Sequence, residues 1–363
     1  MTKYTMDNTN EKKTVQRKPI VAITTGDPNG IGYEVMLKSL AHPHILEICT
    51  PVIYGNLQVL KKHLQLLDKE IQTMQFRLIG QADQAEQGKI NLIKCYADDL
   101  PLNIGTSTQE GGNASYQALA RACEDIKQGW ADALVTAPIN KENIQSEQFQ
   151  YSGHTEYLTH IFSDTDKSLM MMVSEQMRVA LVSNHVALSK VPLFITEENI
   201  LQKLTLLNKT LQSDFRIRRP RIAVLALNPH AGDGGLLGQE EQNIIIPAIK
   251  KAKEAGIMAF GPYSADGFFG AGDYTHFDAI LGMYHDQGLI PFKTLNMQGV
   301  NFTAGLQIVR TSPDHGTAYS IAGKNGADAT SFRNALYMAI DLVAIREENK
   351  ELQAKAMHDE TKE

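Results

Sequence analysis

Residues 279–293, AILGMYHDQGLIPFK, run apolar through Met283 and then present His285, Asp286, Gln287 and Gly288. A short apolar run bounded by turn residues reads as a buried strand when helical spacing resumes beyond it. The same reading applies to residues 20–24 (IVAIT), 133–136 (ALVT), 179–182 (VALV) and 222–227 (IAVLAL). Between these runs lie helical stretches. NASYQALARACEDIKQ places Ala114, Ala118, Ala122 and Ile126 on one face, and EENILQKLTLLNKTLQ and EEQNIIIPAIKKAKEA read alike. Short strands alternating with longer helices predict an α/β architecture with a largely parallel sheet.

The residues just beyond the strands carry the chemistry. RVALVSNH ends in His185, RIAVLALNPH in His230 and AILGMYH in His285. Ligands of open α/β sheets bind beyond the carboxyl ends of the strands, so the three histidines are expected on one rim. Neutral imidazole is a common ligand of divalent ions, and three such residues suggest a metal site. Asp286 is then expected to orient a ligand as its hydrogen-bond partner. A single histidine after a strand is more often a capping or hydrogen-bonding residue; the threefold repeat of the context favours the metal.

The chain of 363 residues has a formal net charge of -6, with 43% hydrophobic and 21% charged residues. That length allows one large or two medium domains. The acidic balance argues against nucleic acid or an anionic membrane as partner. Cys49, Cys95 and Cys123 form neither a disulfide framework nor a thiolate zinc motif, which points to a reducing cytoplasm. No apolar run approaches a membrane span, and residues 1–18 read as a flexible tail without a signal peptide. The charged end REENKELQAKAMHDETKE, residues 346–363 within it, reads as a helix fraying into solvent.

Two glycine loops invite a nucleotide reading. TTGDPNGIGYEV has only Gly30 and Gly32 in GxG spacing, and a structural strand-to-helix turn explains it equally well. NPHAGDGGLLG is spaced GxGxxxG, one residue too long for a Rossmann fingerprint, so its glycines are expected to fold the His230 loop tightly beside Asp233. YSGHTEYLTHIF puts His154 and Thr155 at a helix start, where free amides favour an anion, with a capping role for Thr155 as the alternative. Lys293, Asn301 and Arg310 are candidates to complete a phosphate or carboxylate pocket.

Taken in order, GDPNGIG, SGHTEYL, NPHAGDGG, YHDQGLIPFK and DHGTAYSIAG resemble the 4-hydroxythreonine-4-phosphate dehydrogenase family of vitamin B6 biosynthesis, over about residues 19–343. The resemblance implies a two-domain α/β fold like that of isocitrate and isopropylmalate dehydrogenases, not a Rossmann fold, with the active site in the interdomain cleft. The implied division is residues 19–130 plus 290–345 as a discontinuous first domain and 131–289 as the second. It also implies NAD or NADP as cofactor, held by HGTAYSIAG through His315, Gly316, Thr317, Ala322 and Gly323. His185, His230 and His285 map to the ligands of one divalent ion (Zn, Mg, Mn or Co), and His154, Thr155, Lys293, Asn301 and Arg310 to the substrate site. The partner it implies is a second copy of the chain, in a homodimer whose active site is shared. The general base stays open among Asp286, Lys141 and a metal-bound water. Asn29, Tyr33 and a segment 293–301 one residue short depart from the family pattern.

The expected reaction oxidises the C3 hydroxyl of 4-(phosphooxy)-L-threonine to a β-keto acid that decarboxylates to 3-amino-2-oxopropyl phosphate. A paralogous dehydrogenase of 4-phospho-D-threonate or 4-phospho-D-erythronate is the nearest rival. A metal-dependent hydrolase would suit three histidines and an open coordination position, but it has no use for HGTAYSIAG.

Overall fold

A computed structural model of the chain describes residues 17–165, 167–295 and 298–360, the side chains of 357–360 excepted. Its strands are β1 (Ile20–Thr24), β2 (Thr50–Gly55), β3 (Phe76–Ile79), β4 (Ile90–Lys94), β5 (Ala133–Thr136), β6 (Leu169–Val173), β7 (Arg178–Leu181), β8 (Arg221–Leu225), β9 (Met258–Tyr263), β10 (Ala279–Gly282), β11 (Val300–Ala304) and β12 (Val309–Pro313). They form one sheet in the order β3-β4-β2-β1-β5-β12-β11-β6-β7-β10-β8-β9.

The first six strands of that order are mutually parallel, and so are the last four. Between the blocks, β11 pairs antiparallel with both β12 and β6, and β6 pairs antiparallel with β7. The two parallel blocks therefore run in opposite directions. A Rossmann sheet is parallel throughout with a single reversal of strand order, so this topology is not that fold. β5, expected in the second domain, is hydrogen-bonded to β1 and β12 of the first block. β11, expected in the first domain, joins the two blocks.

The strands expected from the sequence are present, with ends displaced by a residue or two. Beyond β7 and β10 the ladder persists where regular strand ends: Val182 N–H donates to the Gly282 carbonyl at 2.9 Å and Ser183 N–H to that of Met283 at 3.1 Å. The helix Gln109–Lys127 buries Ala114, Ala118, Ala122 and Ile126, and the Thr108 hydroxyl caps it by accepting from Gly111 N–H. The helix Glu197–Ser213 is capped in the same way by Thr196 and buries Ile200, Leu204, Leu207 and Leu211. EEQNIIIPAIKKAKEA differs from a plain α-helix: it opens with a π turn, Glu241–Ile245, before Ile246–Glu254. That turn sets Glu241, 1% exposed, under the loop after β8. There its carboxylate accepts from Leu227 and Asn228 N–H at 2.9 and 2.8 Å.

Two expectations about the ends need correction. Residues 1–16 of the expected tail lie outside the described residues, but Arg17 and Lys18 are tied down. Arg17 Nη2 donates to both Asp132 oxygens at 2.7 and 2.6 Å, and Lys18 Nζ to the Leu46 carbonyl at 2.8 Å. At the other end, the helix Thr330–Glu360 runs through residue 346 without a break. Arg346 does not fray: Nε and Nη2 grip the buried Asp214 carboxylate, each at 2.9 Å. Among the described residues no helix is long and apolar enough to cross a membrane.

Tyr33 fills the space behind the loop after β1. Its ring stacks on His63 at 4.6 Å, its hydroxyl meets that of Tyr96 at 2.5 Å, and His63 Nε2 donates to the Pro28 carbonyl at 2.8 Å. Burial lowers the His63 pKa from 6.5 to about 4. The unfolded chain takes up this proton below pH 6.5 while the folded one resists until about 4, so the stability is complete above 6.5 and is lost as pH falls through that window. The loss amounts to about 3 kcal/mol. His63→Phe, which keeps the stack, should lack this part of the acid slope in denaturant titrations from pH 7 to 4. Equal slopes in both proteins would refute the assignment.

Candidate active site

The central strands floor a cavity of about 190 Å³. Arg310 and Ser312 reach it from β12, Asn301 from β11 and Met170 from β6; register places Asn301 opposite both Ser312 and Met172. The walls are loops: Pro138, Ile139 and Lys141 after β5, His185 after β7, and His315 and Gly316 after β12. Gly153, His154, Thr155 and Glu156 close it from the start of the helix His154–Phe162. A larger concavity of about 880 Å³, near the β6–β7 hairpin, is lined by no histidine, lysine or cysteine.

Close packing fixes the walls. A Cβ on Gly112, in the helix Gln109–Lys127, would stand 1.9 Å from the Asn143 carbonyl oxygen, so this glycine admits the loop that carries Lys141. A Cβ on Gly26, at φ +63°, would stand 2.2 Å from the Pro138 carbonyl oxygen. The GDPNGIG turn is a structural hub. Asp27, fully buried, accepts from Asn29 N–H at 2.8 Å, from Asn143 Nδ2 at 2.7 Å and from the Tyr319 hydroxyl at 2.7 Å. It thereby joins the Lys141 loop to the expected cofactor loop. Thr317 is held there too, its carbonyl accepting from Ile31 N–H at 2.9 Å.

The cavity is cationic, with its arginine buried in the floor. Arg310 is 2% exposed; Nη1 donates to Thr303 Oγ1 at 3.0 Å and Nη2 to Thr136 Oγ1 at 2.7 Å, while Nε has no partner. Burial lowers its pKa from 12.5 to about 10, and nearby Glu156 works against that shift. His154 is driven well below 6.5 by burial first, then by Arg310 and Lys141. His185 is lowered by burial, Lys141 and His285, and His315 by burial. These imidazoles are neutral at pH 7, the form that ligates metal or accepts a hydrogen bond. His154 Nε2, Asn301 Oδ1 and His315 Nε2 are buried without a hydrogen-bond partner among the described residues. Buried polar atoms left this way are where a bound water, ion or ligand is accommodated.

The structure brings together His154, Thr155, Asn301 and Arg310 of the expected substrate residues. Lys293 is not among the lining residues; it pairs with Asp314 at 3.1 Å, just before His315. Thr155 makes no capping bond, since the helix begins at His154 with Gly153 as its cap. Of the two candidate bases, Lys141 lines the cavity, whereas Asp286 accepts from His285 Nδ1 at 2.7 Å and is largely exposed. Of the expected cofactor residues, His315 and Gly316 line the cavity with open space over Gly316, while Ala322 is buried and Gly323 packs on Ile104.

β7, β10 and β8 are parallel neighbours, so His185, His285 and His230 leave the sheet at one edge. The His185 and His285 rings lie 5.7 Å apart. With Nδ1 of His285 bonded to Asp286, its Nε2 is free to ligate. His230 stands elsewhere, within charge range of Asp266. It opens five consecutive left-handed residues, His230 to Gly234, with φ between 44° and 78°. Among the described residues no cluster of three metal-binding side chains forms within the chain. Sequence reasoning missed Asp27 and Glu156, although Glu156 stands one residue beyond Thr155 in a motif it had singled out.

Such a sheet, with antiparallel strands at its centre and a cationic cavity on them, is a non-Rossmann α/β fold. Within it, this chain belongs to the family described as pyridoxal phosphate biosynthetic protein PdxA, whose model matches residues 47–339. It is 50% identical over 336 residues, 92% of each chain, to a protein of Bacteroides thetaiotaomicron named 4-hydroxythreonine-4-phosphate dehydrogenase. A solved structure of that name from Burkholderia phymatum is 40% identical, with a TM-score of 0.74 over 90% of this chain and 98% of its own. A relative from Oceanobacillus iheyensis, provisionally named D-threonate 4-phosphate dehydrogenase, is 39% identical over 90% of this chain and 99% of its own.

Proposed function

We propose that the protein oxidises the C3 hydroxyl of 4-(phosphooxy)-L-threonine, with NAD or NADP accepting hydride. The product is a β-keto acid that loses carbon dioxide to give 3-amino-2-oxopropyl phosphate, a step toward pyridoxal 5'-phosphate. The observation that carries this reading is the buried Arg310, which has no carboxylate at bonding distance among the described residues and leaves Nε unpartnered. A substrate phosphate or carboxylate supplies what it lacks. Asn301, Thr155 and the first amides of the helix His154–Phe162 add donors, and Lys293 stands by as a further cation beyond Asp314. Lys141 is the side chain best placed to move the proton of the oxidised hydroxyl.

His185 and His285 fit a divalent ion as two imidazole donors, and His230 of the partner subunit would be the third in a homodimer. The ion, when bound, supplies Lewis acidity toward the substrate oxygen. In support of a dimer, each histidine is followed by exposed apolar side chains: Leu188 and Leu193, Leu236 and Leu237, Ile290 and Leu295. Asp286→Ala should weaken retention of the ion by about 10- to 100-fold, measured by competition with a chelator, with unfolding unchanged. Undiminished retention would remove Asp286 from this role.

The cofactor reading rests on the loop 315–323, open over Gly316 and held by Asp27 through Tyr319. A two-domain division with a cleft between the domains, β5 counted with the first, and a cytoplasmic location with Cys49, Cys95 and Cys123 free, belong to the same proposal. The test is reduced-cofactor formation by the purified protein with 4-(phosphooxy)-L-threonine and, in parallel, 4-phospho-D-threonate, with and without chelator. Chelator-sensitive turnover of the first is expected; turnover of the second alone would assign the protein to the sugar-acid branch, the second reading that the Oceanobacillus relative keeps in view.

A further inference from the structure

The cavity has one carboxylate among its described lining residues, Glu156, against the cations Lys141 and Arg310. The cations suit the phosphate and carboxylate of the substrate. An anion beside them competes with those groups for the same charges, which weakens binding unless the ligand itself brings a cation. Glu156 makes no hydrogen bond or ion pair among the described residues, although it stands within charge range of both Arg310 and His185. Its Oε2 hangs over Gly153, 3.5 Å from where a Cβ there would lie. It is an exposed carboxylate without a protein partner among the described residues, at the mouth of a site otherwise built for anions.

We propose that Glu156 determines specificity by receiving the α-ammonium of an amino-acid substrate. This rests on the reading of the site as one for a phosphorylated 3-hydroxy acid. In 4-(phosphooxy)-L-threonine the ammonium on C2 is vicinal to the hydroxyl on C3 that is oxidised. The group that receives it must therefore stand beside the group that handles C3, and Glu156 lies within charge range of His185. In 4-phospho-D-threonate a neutral hydroxyl replaces the ammonium, so the carboxylate keeps a hydrogen bond there but loses the attraction between opposite charges.

The experiment compares kcat/KM for the two substrates in the wild type, Glu156→Gln and Glu156→Asp. The wild type should favour the amino acid. Glu156→Gln should reduce that preference about tenfold or more, through KM for the amino acid, with the phosphothreonate little changed, and Glu156→Asp should regain part of it. Because the ratio is compared between proteins, the different stereochemistry of the two substrates cancels. A parallel change in both substrates would mean that Glu156 only screens Arg310 and His185, and would overturn the proposal alone. A wild type that oxidises neither substrate, or only the phosphothreonate, would overturn the underlying reading and this inference with it.

Discussion

Arg310→Met is expected to lower kcat/KM for 4-(phosphooxy)-L-threonine by about 10²- to 10³-fold while leaving the ligand-free protein at least as stable as the wild type. The reason is that Arg310 is buried for a purpose other than stability. Among the described residues its guanidinium bonds only two threonine hydroxyls, at 3.0 and 2.7 Å, and Nε is left without a partner. Burial lowers its pKa to about 10, so the unfolded chain holds this proton more tightly than the folded one. The resulting penalty is complete at every pH below about 10 and fades only between there and 12.5. At pH 7 the group remains charged, and the penalty is on the order of 3 kcal/mol. Methionine, of similar reach and without charge, removes it.

A substrate anion reverses the balance, because it converts a lone buried cation into a hydrogen-bonded pair. Inorganic phosphate should accordingly raise the unfolding temperature of the wild type and not of Arg310→Met. The pair of results to look for is a variant with a higher ligand-free unfolding temperature and no response to phosphate. A variant that is destabilised and still responds to phosphate like the wild type would show that Arg310 is a structural residue.

The fold was legible where side-chain period is strong. The alanine face of the helix Gln109–Lys127 and the uninterrupted apolar runs of β1, β5 and β10 each admit a single reading. β6, β11 and β12 were not legible in this way: LMMMV is apolar throughout but made mostly of Leu and Met, which favour helix as readily as strand, while VNFTA and VRTSP mix apolar and polar residues whose alternation acquires meaning only from neighbours far along the chain. These are the strands that floor the cavity. Arg310 and Asn301 were therefore candidates by residue type alone until the family resemblance mapped them to the substrate site, and nothing local indicated that Arg310 would be buried. The left-handed run from His230 to Gly234 was partly legible, since its glycines signalled a tight loop, but nothing local signalled the positive φ of His230, Ala231 and Asp233, in a loop whose entry at Leu227 and Asn228 is held by the distant Glu241. Asp27 escaped notice because its partners, Asn143 and Tyr319, lie 116 and 292 residues away.

The same distance between sequence and space bears on the metal. His185 and His285 meet within one chain, and His230, at the same edge of the sheet, joins no cluster with them. If the site is completed by a second subunit, His230→Ala and His285→Ala should each be folded, should each fail to retain a divalent ion, and should each be inactive alone. His230 is exposed and its side chain makes no hydrogen bond among the described residues, so its removal opens no cavity. Mixed by co-expression, the two variants pair at random, and half of the dimers are hybrids. In each hybrid one site takes His185 and His285 from the subunit that keeps them and His230 from the other, while the second site lacks both mutated ligands. About a quarter of wild-type activity and ion content should return, as two-fold symmetry requires. Ligands drawn from a single chain would leave the mixture as inactive as its parts, and full activity of His230→Ala alone would remove His230 from the site altogether.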